Sequence, residues 1–206
     1  MNILDLTRRL RGGRADHGVL TDREIVRAYE RRELRVDPFD PELLRPAALS
    51  LRLGSAAAVL RPRGAIDVAW SDTHPQLEAR HPDALGRLRL EPGEVMLAPT
   101  LERVALSPRL AGLIDGTSDY ARLGISVVLS HQVSPGYGSD SPDGAILTLE
   151  IVPRLTETVY LRPGTRISNL MLFHCRPAER PYPVMPANYS RDMLVRASRV
   201  AEYHAD

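Results

Sequence analysis

Lysine is absent from the 206-residue chain, and all 27 of its basic residues are arginine. With no amine side chain to offer, Schiff-base catalysis and the phosphate-gripping lysine of a P-loop are both excluded. Cysteine is nearly as scarce: one residue, Cys175, cannot close an intrachain disulfide or supply the paired thiolates of a structural zinc site, which points to a reducing compartment. No run approaches the roughly 18 apolar residues that span a bilayer. Residues 1–18 carry Arg8, Arg9, Arg11 and Arg14 without the apolar core of a secretory signal. A cytoplasmic location without a membrane partner is expected. Neither charge sign is in excess, since 27 basic against 26 acidic residues leave a net +1, so nucleic acid is not expected as a partner.

What is present suffices for one domain with a real core, at 43% hydrophobic content. Thr21-Asp22-Arg23-Glu24 has the capping-box form, and Ile25, Ala28 and Tyr29 follow at helical spacing, so a short amphipathic helix is predicted from there to about Glu33. Beyond it, Pro and Gly recur too often for long helices. Eight short strands are predicted: Leu49–Leu53, Ala57–Leu60, Val95–Ala98, Arg103–Leu106, Ser126–Leu129, Ala145–Val152, Thr158–Leu161 and Arg166–His174. Such a pattern suits a closed or double-sheet β architecture. Ser71–Gly86 reads as an irregular surface excursion and Tyr137–Gly144 as a turn-rich loop. The polar tail after Pro186 is either disordered or ordered by a ligand or neighbour.

Two places could carry chemistry. In Asp115–Gly124 a single helical turn would set the Ser118 hydroxyl beside the Arg122 guanidinium, able to hold an anion or polarise a carbonyl; a solvated turn with an Asp115 or Asp119 salt bridge is the equal alternative. Glu150 stands in an apolar strand, on one face with Ile146 and Thr148, while Leu147, Leu149 and Ile151 take the other. Its carboxylate either faces solvent or is partly buried; in the second case desolvation raises its proton affinity and equips it for general acid/base work. Zinc chemistry lacks its ligands. The H-x-E…P-C-x-x-C pattern of zinc deaminases is missing, and the six histidines show no H-E-x-x-H spacing. Cys175 beside His174, at the end of an apolar strand, is read as packing rather than as a thiol nucleophile.

Several ordered motifs converge on one family. Leu20–Ile25 is followed by Val36–Leu43, Arg45-Pro46-Ala47 and Leu51-Arg52-Leu53-Gly54. Next come Pro92-Gly93-Glu94, Thr100-Leu101-Glu102 and Ala121-Arg122-Leu123-Gly124. Pro135-Gly136-Tyr137, Thr148-Leu149-Glu150 and Pro163–Ile167 complete the run, with Tyr189 and Ser198-Arg199 in the tail. Over roughly residues 19 to 200 the chain resembles the dCTP deaminases of the trimeric dUTPase superfamily.

The resemblance implies a mainly β, distorted barrel or jelly-roll of the dUTPase-like type with a short N-terminal helix. It divides the chain into an extension (1–18), a deaminase-like domain (19–186) and a lid or tail (187–206). It implies a homotrimer with sites at subunit interfaces and a nucleotide substrate. Glu150 then activates water for attack at cytosine C4, while Ser118 and Arg122 orient water, base and phosphate. Ser130, His131 and Val133 read the base edge, Tyr137 packs on the deoxyribose, and Asn169 belongs to the same substrate-binding set. Tyr189 and Arg199 close over phosphate. Mg²⁺ enters through the substrate phosphates, and no zinc is required.

The chain also departs from the pattern. Thr117 stands where the family has a basic residue and Asp119 where it has a serine, both at substrate-binding positions; Ser134 replaces an aspartate that holds the sugar. Ser50 replaces the aspartate of D-L-R-L-G, Asn188 a lysine, and the loop 138–143 is longer than usual. Deamination of a cytosine deoxynucleotide is the expected activity. A dUTPase-type diphosphohydrolase and a trimeric nucleotide-binding protein without turnover are the alternatives.

Overall fold

The computed structural model describes residues 18–186 and 188–204, so the expected amino-terminal extension lies outside them apart from Gly18. The helix opens at Thr21, whose backbone N–H and hydroxyl both donate to the Glu24 carboxylate at 2.9 Å. This helix, α1, spans Asp22–Glu30 and buries Ile25 and Ala28. It stops short of the predicted Glu33 because Arg32 turns left-handed (φ 58°). The N–H of Arg32 bonds the Tyr29 carbonyl (3.0 Å) and that of Glu33 the Ala28 carbonyl (2.9 Å), the paired bonds of a Schellman closure.

The strands are β1 (Gly18–Val19), β2 (Leu34–Asp37), β3 (Leu44–Arg45), β4 (Ala48–Arg52), β5 (Ala57–Arg61), β6 (Gln76–Arg80) and β7 (Leu88–Leu90). They continue as β8 (Met96–Leu106), β9 (Leu110–Gly116), β10 (Ile125–Ser126), β11 (Gln132–Val133), β12 (Ala145–Pro153), β13 (Val159–Leu161) and β14 (Arg166–His174). One sheet runs β11-β9-β14-β4-β3, with β1 against the end of β14. The other runs β10-β12-β8-β5-β6, with β2 beside the far end of β8, and β7 pairs with β13 in a separate ribbon. A single buried cluster draws Leu49, Leu51, Leu170 and Leu172 from the first sheet and Val59, Met96, Val104, Leu149 and Ile151 from the second. This is the mainly β, two-sheet architecture expected, in the jelly-roll rather than the closed-barrel form.

Several boundaries differ from expectation. The predicted strands Val95–Ala98 and Arg103–Leu106 are one strand, β8, interrupted by a bulge: Ile146 pairs with Arg103 and Thr148 with Pro99, so Thr100, Leu101 and Glu102 together oppose Leu147. Predicted Ser126–Leu129 shrinks to β10, because beyond Ser126 the chain leaves the sheet to meet Glu150. The excursion Ser71–Gly86 contains β6, which pairs along the whole of β5; its mixed composition hid it because β6 is an edge strand with mostly exposed side chains. Before β6, the Thr73 hydroxyl bonds the Asp67 N–H (2.9 Å) and the Trp70 carbonyl (2.8 Å). This closes a compact loop that projects Ile66, Val68 and Trp70 into solvent, the indole 68% exposed. Among the described residues no helix is long and apolar enough to cross a membrane.

Candidate active site

A cavity of about 450 Å³ opens beside β12. Alternation along that strand sends Leu149 and Ile151 into the core and leaves Thr148 and Glu150 half-buried on the cavity side. One oxygen of Glu150, Oε2, accepts the backbone N–H groups of Leu129 (3.1 Å) and Ser130 (3.3 Å), which fix the carboxylate in the wall. Ser130, Gln132 and Val133 line the cavity next to it.

The opposite wall is aromatic. Tyr137 is buried, its hydroxyl donates to the Ile146 carbonyl, and its ring stacks on Tyr182 at 5.6 Å between centroids. Burial first, then the neighbouring Tyr182, pushes the Tyr137 hydroxyl well above the ordinary phenol range, so it stays a neutral donor and its ring a fixed apolar surface. The tail supplies part of the lining. Tyr189 donates its N–H to the Tyr182 hydroxyl (3.1 Å) and accepts the Arg199 N–H on its own hydroxyl (3.0 Å). Tyr189, Arg196, Ala197 and Ser198 all line the cavity. Residues 188–204 of the expected lid or tail lie on the chain's own surface, where buried Asp192 gives its carbonyl to the Ile146 N–H (3.0 Å).

The cavity thus brings together Glu150, Ser130, Val133, Tyr137 and Tyr189 of the expected residues. Others lie outside its lining. Thr117, Ser118, Asp119 and Arg122 sit on or beside the short helix α2 (Ser118–Arg122), where Ser118, Asp119 and Arg122 are exposed. The single turn foreseen there is present, capped by Thr117, whose N–H bonds the Ile167 carbonyl (3.0 Å). The His131 ring lies 2.9 Å from the Ile114 carbonyl. Ser134 gives its carbonyl to the Tyr137 N–H (3.0 Å), shaping the turn. Asn169, on β14, accepts the Ser50 hydroxyl at 2.8 Å, and the Ser50 oxygen in turn accepts Arg45 Nε at 3.0 Å. Arg199 sits over the Tyr189 ring, 5.1 Å from its centroid, and pairs with Asp192 at 3.6 Å.

Sequence reasoning missed His74, Pro75, Gln132, Tyr182 and Arg196 as lining residues. Only Gln132 had a local signal, as the neighbour of Val133. Tyr182 and Arg196 arrive through the path of the tail, and His74 through the placement of β6, neither of which leaves a periodicity to read.

Fold and cavity together define a mainly β, two-sheet protein with a carboxylate set in a pocket walled in part by tyrosines. Residues 19–175 match the dCTP deaminase-like family model. The dUMP-forming dCTP deaminase of Salinispora tropica is 32% identical over 171 residues, covering 80% of this chain and 84% of that protein. Its counterpart in Parafrankia sp. is 33% identical over 175 residues, covering 80% of each. The crystal structure of 2'-deoxycytidine 5'-triphosphate deaminase from Agrobacterium tumefaciens shares the fold, with a TM-score of 0.58 at 23% identity. That match covers 78% of this chain and 49% of that one, so the chain spans about half the length of the solved protein. The chain belongs to the dCTP deaminase-like family of hydrolases.

Proposed function

We propose that the chain is a zinc-independent deaminase of a cytosine deoxynucleotide, dCTP or a related nucleotide, yielding the uracil nucleotide and ammonia. The observation that carries this reading is the Glu150 carboxylate, held by two backbone N–H groups through one oxygen while its residue lines the cavity. A water between that carboxylate and C4 of the base gives its proton to Glu150 as it attacks. The same proton then passes to the exocyclic amine as the C4–N bond breaks, and the remaining hydroxyl proton ends on N3 as the C4 carbonyl forms, so one water is consumed and one ammonia leaves. Tyr137 and Tyr182 form the apolar wall for base and sugar.

Ser118 and Arg122 are exposed on α2 and do not border the cavity of their own chain. Their place in the reaction is at a neighbouring copy, in a homotrimer whose sites lie between subunits, where Arg122 would stabilise charge on base or phosphate. Among the described residues no three His, Cys, Asp or Glu side chains cluster into a metal cage. In this reading magnesium enters with the substrate, on its phosphates, and needs few protein ligands.

The test is incubation with a panel of cytosine and uracil nucleotides, with ammonia and diphosphate measured together. Ammonia from cytosine nucleotides is expected. In Glu150→Gln that release should fall by about 10²- to 10⁴-fold, the range of a lost general base, with thermal unfolding and nucleotide binding retained. Undiminished turnover in the variant refutes the role of Glu150, and diphosphate without ammonia refutes deamination.

A further inference from the structure

The long loop 138–143 lies outside the cavity, yet it is held at both ends and along its length. Gly138 and Gly144 bracket it with positive φ (68° and 77°), and a Cβ at either would strike the Val104 carbonyl, at 2.3 and 2.9 Å. Both ends are therefore pinned on β8 by backbone that only glycine accommodates there. Between them Arg35, from β2, spends its guanidinium on the carbonyls of Gly138 (3.3 Å), Ser139 (3.4 Å), Ser141 (2.9 Å) and Pro142 (3.2 Å). An arginine that reads four carbonyls and no carboxylate fixes the shape of a loop.

That shape presents Asp140 to the tail. The Asp140 carboxylate accepts the Ser190 hydroxyl on one oxygen and Arg191 Nε on the other, at 2.6 Å. The two contacts differ in weight. The Arg191 side chain is 75% exposed, and an ion pair so solvated contributes at most about 1 kcal/mol. Ser190 is fully buried, so removing its acceptor strands a desolvated hydroxyl. A few residues beyond Ser190, Arg196, Ala197 and Ser198 line the cavity, and Tyr189, one residue before it, lines the same cavity.

We infer that Asp140 is a positioning residue for the reaction: held out by Arg35, it latches Ser190 and thereby sets the carboxy-terminal segment over the occupied cavity. The inference rests on reading the cavity as the nucleotide site. Asp140 acts at a distance from the reacting atoms, so its loss weakens closure over substrate while leaving the carboxylate chemistry intact.

The test pairs a readout that needs no activity with one that does. In Asp140→Ala, amide hydrogen exchange across residues 188–199 should accelerate about tenfold, the equivalent of one lost net hydrogen bond, while β12 and β14 exchange as in the wild type. With a cytosine nucleotide as substrate, KM should rise by a similar factor and kcat stay within about twofold. Asp140→Asn, which keeps an acceptor for Ser190, should recover most of both effects, and Arg191→Ala should show little of either. Ser190→Ala, altered on the tail side, should reproduce the exchange result if Asp140→Ala fails to fold. Unchanged exchange in the tail of the folded variants overturns the latch. Faster exchange with unchanged KM overturns its positioning role. If the wild type deaminates none of the nucleotides, the functional reading falls and the positioning role with it, while the exchange comparison still decides the latch.

Discussion

Thr-Leu-Glu occurs twice, at 100–102 and 148–150, on strands that pair with each other. The two glutamates nevertheless meet opposite fates. Glu150 lines the cavity, whereas Glu102, in the bulge of β8, is fully buried and accepts the Arg52 backbone N–H (2.7 Å) and Nε (2.6 Å). Thr100 fills the bulge, donating to the Glu102 carbonyl (2.7 Å) and accepting the Leu147 N–H (3.0 Å). Arg52→Ala leaves a buried carboxylate without its countercharge, a loss of about 3 kcal/mol or more, which urea unfolding would show. Tripeptide identity could not distinguish these roles, since the bulge that separates them is a property of two strands at once. The position of Glu150 on the Thr148 face was legible from alternation alone, and its importance from the family motif.

At the scale of elements, the strap from Asn188 to Arg199 is held by one carboxylate, Asp140, and carries another, Asp192, and the two are tuned in opposite directions. Burial works to raise the Asp140 carboxyl, but its hydrogen bonds from Ser190 and Arg191 outweigh it and leave the group below the usual aspartate range. Asp192 is pushed up, because burial exceeds the pull of Arg199 and Arg196. By linkage, the raised group favours docking as pH falls from neutral toward the ordinary aspartate range. The lowered group withdraws its support as pH falls further, through its own depressed value. Protection of the strap amides, corrected for intrinsic exchange, should therefore peak on the acid side of neutrality; protection that rises monotonically with pH would contradict this. The strands with clean alternation, β12 and β14, were readable within a residue. The strap and β6 were not, because their order comes from distant partners: Asp140 and Ile146 for one, β5 for the other.

At the scale of the whole molecule, Glu150 lines the cavity and Arg122 does not, so the proposed homotrimer can be tested by asking whether the two act from different copies. A ring in which each copy lends α2 to the next is a heterologous contact closed by threefold rotation. Equal mixing of inactive Glu150→Gln and Arg122→Ala chains, after dissociation and reassembly, should then restore about a quarter of the wild-type activity, since a random ring juxtaposes the two intact residues at about one site in four. Two chains that stay inactive on mixing would place both residues in one subunit's site. The compact loop before β6 bears on how filling of that site can be watched. Trp70 is the sole indole of the chain and stands in water a few residues before His74 and Pro75, which line the cavity. The segment leading into the pocket therefore carries a built-in fluorophore, whose emission is free of background from any second tryptophan.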